Sequence, residues 1–147
     1  MMLTPTDKPQ RIAIYARTSS DEQAEANTIQ NQINYAERYV DLNSLRVTET
    51  YLDDGVSGTI PLGERAQGRK LLADAKAGKV DVVLVYRVDR LARRLKVLLD
   101  AHETLQAAGV GLRSMTEPID STTPIGRFIF QLLGSIAELE RETIIER

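Results

Sequence analysis

Two short stretches hold residues whose types and spacing suit work on a phosphate. YARTSSDEQ (15–23) sets Ser19 and Ser20 behind Arg17, and VYRVDRLARR (85–94) gathers Asp89 with Arg87, Arg90, Arg93 and Arg94. Each serine has an ordinary reading as a helix cap. Ser19 with Glu22 and Ser20 with Gln23 both satisfy the capping-box spacing. The chemical reading makes one hydroxyl a nucleophile. A serine just past the carboxyl end of a parallel strand lies where α/β folds place ligands, and a helix N-terminus beside it favours an anion. Arg17, two residues before Ser19 on an extended backbone, projects to the same side. Arginine and serine together would then clasp a phosphate.

The second stretch is expected to open a helix at residue 90. Arg90 and Arg93 then share one face, with Arg94 one turn from Arg90 and Asp89 at the junction as N-cap. A solvated basic face is the plain interpretation. Against it, cations at a helix N-terminus oppose the macrodipole. An anion held among Arg17, Arg90 and Arg93 would offset that repulsion. Between the two stretches runs DDGVSGTIPLGE (53–64), long for a loop in a compact domain. Gly55 and Gly58 read as turn residues, and Arg65 just beyond could be carried by the loop to a phosphate. His102, the single histidine, reads as a surface or half-buried helix residue.

The elements that must position these groups follow from periodicity. Apolar strands are expected at 11–17, 45–52, 80–86 and 110–115, and helices at 21–42, 65–78, 90–109 and 125–147. Gly78 and Gly109 are the expected C′ residues of the second and third helices. Pro124 stands at the N1 position of the last, with Thr123 as its cap. Strict alternation of strand and helix predicts an α/β domain with a mainly parallel sheet of about four strands and flanking helices, followed by a long C-terminal helix. The boundaries are a leader at 1–10, an α/β unit at 11–123 and the helix at 124–147. That helix carries Ile125, Phe128, Ile129, Leu132, Leu133, Ile136 and Leu139, more apolar surface than one small sheet covers. It points to a partner subunit, DNA or both, and to a chain that is part of something longer.

Composition narrows the chemistry. The chain has 147 residues, no cysteine and one histidine, which excludes disulfides, cysteine-based zinc sites and any site needing several histidine ligands. No apolar run approaches the length of a membrane span, and the first residues lack a signal peptide's apolar segment. No GxxxxGK[ST] or strand-linked GxGxxG is present, so nucleotide sites lack their motifs. Net charge is −2, unlike a strong nucleic-acid binder, although residues 87–96 are locally basic.

Taken together and in order, these stretches resemble one family, the serine recombinases of the resolvase, invertase and large integrase superfamily. YARTS is similar to its Tyr-x-Arg-x-Ser motif and DRLAR to its Asp-Arg-Leu-x-Arg motif. DDGVSG and GERAQG resemble its loop elements, and GRFIFQLLGSIAELERETIIER its long dimerisation helix. The loop is more similar to the large integrase members than to the compact resolvases. The resemblance implies a resolvase-like fold and a recombinase that cuts and rejoins double-stranded DNA without cofactor or metal. It implies Ser19 as nucleophile, with Arg17, Arg65, Asp89, Arg90 and Arg93 around the scissile phosphate. Gln23 and Gln32 would support the site, as would one of Asp53 and Asp54, and Arg141 and Arg147 would face DNA. It further implies homodimers that pair as tetramers at synapsis, a separate C-terminal DNA-binding region, and a cytoplasmic protein acting at the nucleoid. A non-catalytic phosphate-binding module would use the same arginines and keep Ser19 as a cap. An oligomerisation domain built on the last helix is the third reading.

Overall fold

The computed structural model describes residues 9–19 and 29–146. Strand β1 (Arg11–Thr18) is followed by α1 (Ile29–Leu42), β2 (Arg46–Asp54), a 3-10 turn (Leu62–Glu64) and α2 (Ala66–Lys76). Then come β3 (Val82–Val85), a single helical turn α3 (Val88–Leu91), α4 (Leu95–Ala107), β4 (Gly111–Ser114) and α5 (Pro124–Glu146). The four strands are ordered β2-β1-β3-β4, and every pairing is parallel.

Alternation along the central strands divides the core in two, as the two-residue period requires. Ala13 and Tyr15 of β1, with Val83 and Val85 of β3, face Leu71, Ala75, Leu98, Ala101, Leu105 and Phe130 from α2, α4 and α5. Ile12, Ile14, Val82 and Leu84 face Ala36 of α1 and Met115. Strands covered on both faces read as unbroken apolar runs, which is why β1 and β3 stand out in the sequence.

Both expected glycine stops are present. Gly78 and Gly109 adopt φ of 75° and 76°, and Lys79 and Val110 N–H close back on the carbonyls of Asp74 and Leu105 at 3.0 and 2.8 Å. These are Schellman closures, which need the left-handed backbone that glycine reaches without a Cβ penalty. At the other end of the chain Thr123 Oγ1 accepts the Gly126 N–H at 3.0 Å, one residue ahead of Pro124. No helix among the described residues is long and apolar enough to cross a membrane.

Residues 21–28 of the helix expected at 21–42 lie outside the described residues, and elsewhere one helix departs from expectation. The run expected at 90–109 is broken into α3 and α4, with Ala92 and Arg94 extended at φ/ψ of −153/138° and −118/141°. The break follows from a competing hydrogen bond. Arg93 N–H leaves the helical ladder and donates to Gly58 O at 2.9 Å, in the loop after β2. Arg93 and Arg94 therefore do not lie on one helical face with Arg90. Asp89 is not a cap either; the N-cap position is Arg87, whose side chain caps nothing.

Candidate active site

The order β2-β1-β3 means the chain reverses its direction of travel across the sheet between β1 and β3. Connections leave these two strands on opposite sides, which opens a crevice at their carboxyl ends. Ser19 follows β1 there, and Asp89 and Arg90 follow β3. A cleft of about 750 Å³ lies at this edge, lined by Ser19, Arg93, Arg94 and the backbone-rich loop 55–60.

Beneath the cleft the charged groups are buried. Arg17, Arg65, Arg90 and Asp53 expose 0%, 1%, 4% and 3% of their surface. Buried charge is costly unless it is paired and hydrogen-bonded, so each of these groups has to be held by specific partners.

Arg17 bolts the site together. Its Nε donates to Arg90 O at 2.9 Å, Nη2 to Asp89 O at 2.7 Å and Nη1 to Val56 O at 2.9 Å. A one-turn helix leaves its last carbonyls without backbone donors, and in α3 those of Asp89 and Arg90 are met by this guanidinium. Gln32 of α1 holds the backbone of Arg17 from the other side, accepting its N–H at 3.3 Å and donating to its carbonyl at 3.0 Å.

Arg65 is held by a second set of contacts. It donates to Ile60 O at 2.9 Å, to Gly58 O at 3.4 Å and to the Tyr15 hydroxyl at 3.0 Å. The Tyr15 hydroxyl in turn donates to Asp53 Oδ2 at 2.8 Å. Burial pushes this phenol well above its ordinary pKa, although the Arg65 charge pulls the other way. Asp53 also accepts the N–H groups of Gln67 and Gly68 at 2.9 and 3.0 Å, and so caps α2. The pair left open in the sequence thus separates. Asp53 is buried in this network, whereas Asp54 is exposed and accepts the Thr18 hydroxyl at 2.8 Å.

Gly58 is where the two sets meet. Its carbonyl takes Arg93 N–H and an Arg65 Nη2 hydrogen. A Cβ at this position would overlap Arg93 Cγ and stand 2.9 Å from Arg17 Nη2. Glycine is required for close approach, not only for a turn. Asp89 is half-exposed and ion-paired with Arg87 at 3.3 Å and Arg90 at 3.5 Å.

The fold therefore brings Ser19, Arg17, Arg65, Asp89, Arg90, Arg93, Gln32 and Asp53 to one sheet edge. It leaves Arg141 apart, exposed on α5. Ser20, Gln23 and Arg147 lie outside the described residues. Tyr15 was missed in the sequence reading of the site. Its signal was available, since an aromatic hydroxyl inside a strand buried on both faces needs a partner. Among the described residues no group of His, Cys, Asp and Glu gathers that could hold a metal ion.

Comparison with known proteins gives the family and the fold. The family described as the resolvase N-terminal domain matches residues 12–147. The chain belongs to that family. Within it, the DNA-invertase of Escherichia phage P1 is 39% identical over 99 residues, covering 67% of this chain and 51% of its own length. The serine recombinase gin of Escherichia phage Mu is 38% identical over 99 residues, covering 67% of this chain and 49% of its own length. The chain thus spans about half the length of these curated relatives. Among solved structures, the N-terminal catalytic domain of TP901-1 integrase superposes with a TM-score of 0.83 at 30% identity, covering 91% of this chain and 98% of that one.

Proposed function

We propose that this resolvase-family domain is the catalytic unit of a serine site-specific DNA recombinase and that Ser19 is its nucleophile. The observation that carries the reading is a serine and Arg93 lining one cleft whose loop carbonyls are bonded by buried Arg17 and Arg65, with buried Arg90 held in turn by Arg17. Ser19 Oγ attacks a DNA phosphodiester, forming an Oγ–P bond as the P–O3′ bond breaks. The serine proton leaves to a base, and the departing 3′ oxygen is protonated. The product is a 5′-phosphoserine and a free 3′-hydroxyl. Phosphodiester is exchanged for phosphodiester, so rejoining needs no external energy source.

The transition state spreads charge over the non-bridging oxygens, and fixed guanidiniums are suited to it. Arginine serves better than lysine because its planar fork binds two oxygens and keeps its charge when buried. Arg93 lines the cleft itself, while Arg17 and Arg65 tie the cleft's floor to the loop. Asp89 and an arginine are the candidates for moving the two protons.

The substrate is double-stranded DNA, and the working form is a homodimer that pairs into a tetramer. Support for association comes from α5, where Ile125, Phe128, Leu132, Ile136 and Leu139 form one stripe with exposures from 40% to 71%. Exposed apolar patches of this kind mark interaction surfaces. Arg141, exposed on the same helix, would contact the DNA backbone in this reading.

Covalency is the test. With a randomised duplex library, denatured during the reaction, the protein is expected to yield a protein–DNA adduct that persists in chelator. Ser19→Ala should abolish the adduct and Ser20→Ala should keep it. An adduct that survives Ser19→Ala overturns the assignment.

A further inference from the structure

The turn α3 carries Asp89 and Arg90, yet a single helical turn has no stability of its own. The backbone on either side is extended, at Arg87 and at Ala92. Its geometry has to come from outside. Arg17 holds its carboxyl end through the carbonyls of Asp89 and Arg90. Its amino end is held by a residue distant in sequence. Glu117 Oε1 accepts the Val88 N–H at 2.7 Å and the Ser114 hydroxyl at 2.9 Å.

Glu117 lies in the connection between β4 and α5, and that connection is laid across the end of β3. Met115 N–H donates to Val85 O at 2.8 Å, and the Thr116 hydroxyl donates to Tyr86 O at 2.9 Å. The same connection then folds back on β4. Ser114 N–H meets Ile119 O at 2.8 Å, and Arg113 pairs with Asp120 at 2.9 Å. Asp120 O accepts the Thr123 hydroxyl, and Thr123 Oγ1 caps α5 through Gly126 N–H. Hydrogen bonds thus fasten this connection to the ends of β3 and β4 and, through Glu117, to the first amide of the Asp89–Arg90 turn.

We propose that Glu117 is a positioning residue for DNA cleavage. Its carboxylate clamps the Val88 amide and so sets where Asp89 and Arg90 stand relative to Ser19. Through Glu117 the residues just after β4 become part of the active site's support. This rests on the reading of Ser19 and the arginines as a cleavage site. A charged acceptor on a backbone amide makes a strong hydrogen bond, and small displacements of positioned groups cost a large part of the rate.

The test uses Glu117→Ala, Glu117→Gln and Asp120→Ala, with the duplex captured covalently by the wild type. Glu117→Ala should form adduct about 10–100-fold more slowly in single turnover while binding the duplex with unchanged affinity. Glu117→Gln, whose Oε1 accepts the same two hydrogens, should stay within about threefold of wild type. Asp120→Ala breaks the Arg113 pair and lowers stability, but should cleave at the wild-type rate well below its melting temperature. Glu117→Ala cleaving like wild type overturns the proposal, as does Glu117→Gln no faster than Glu117→Ala, or Asp120→Ala equally slow. Hydrogen exchange at the Val88 amide is read in parallel, without DNA. Its protection should be lost in Glu117→Ala and kept in Glu117→Gln. If the wild type forms no adduct, the cleavage reading fails by itself, and retained Val88 protection in Glu117→Ala still refutes the clamp.

Discussion

Tyr15→Phe isolates one oxygen atom between two charged groups. The ring stays, packed in the core among Ala13, Val83 and Leu71, so no cavity is made. Two hydrogen bonds go, one donated to Asp53 at 2.8 Å and one accepted from Arg65 at 3.0 Å. Hydrogen bonds to charged partners contribute about 1.5–3 kcal/mol each. Asp53 keeps the Gln67 and Gly68 amides and Arg65 keeps Ile60 O, so the loss is partial. The expected cost is about 2–4 kcal/mol by urea unfolding, with a fall in Tm of roughly 6–12 °C. The pH dependence supplies a second readout. Burial raises the Tyr15 and Tyr51 pKa values. Above the unfolded tyrosine value of about 10, the unfolded chain loses protons that the native state retains, and stability falls with rising pH. Tyr15→Phe removes one of these two contributions, so its alkaline slope should be shallower. A variant within about 0.5 kcal/mol of wild type, a typical value for a neutral surface change, with an unchanged alkaline slope would refute the reasoning that the hydroxyl bridges Asp53 and Arg65.

Three further outcomes are expected. Gly58→Ala forces Arg93 and Arg17 away from the loop; it should cost about 1–3 kcal/mol as an overpacked site and lose adduct formation out of proportion to that, checked by melting and single-turnover cleavage. Burial lowers the His102 pKa against a smaller opposing effect of Glu103, so stability that is full above the unfolded histidine value of about 6.5 should decline as pH falls below it. His102→Leu should flatten that part of the curve in urea titrations. Phe128→Ser with Leu132→Ser, both on the exposed stripe of α5, should leave the melting temperature nearly unchanged and abolish any concentration-dependent association in sedimentation.

Much of the architecture was legible because its signals are local. β1 and β3 are apolar runs long enough for a strand and too short for a helix. Gly78, Gly109 and Thr123–Pro124 mark helix ends by backbone and capping chemistry that operates within a few residues. The α3–α4 break was not legible. Nothing in DRLARRLK stops a helix by propensity. The helix yields because Gly58 O, far off in sequence, takes the Arg93 amide. The separate fates of Asp53 and Asp54 were hidden for the same kind of reason. Adjacent residues of a strand point to opposite sides, and only the position of α2 decides which side is buried.

The sequence alone determined that arginines and a serine stand at strand ends, that the sheet is mainly parallel, and that the last helix has an apolar face its own sheet does not cover. These follow from periodicity and from the types of residue present. Tertiary structure decided how the arginines differ. Arg17 is enclosed among backbone carbonyls, Arg65 is tied to Tyr15 and Asp53, and Arg93 lines the cleft with Ser19. The sequence reads them all as cations of one kind. Their separate positions depend on which distant carbonyls and hydroxyls close around each guanidinium, and that is known only once the sheet order has placed β1 beside β3.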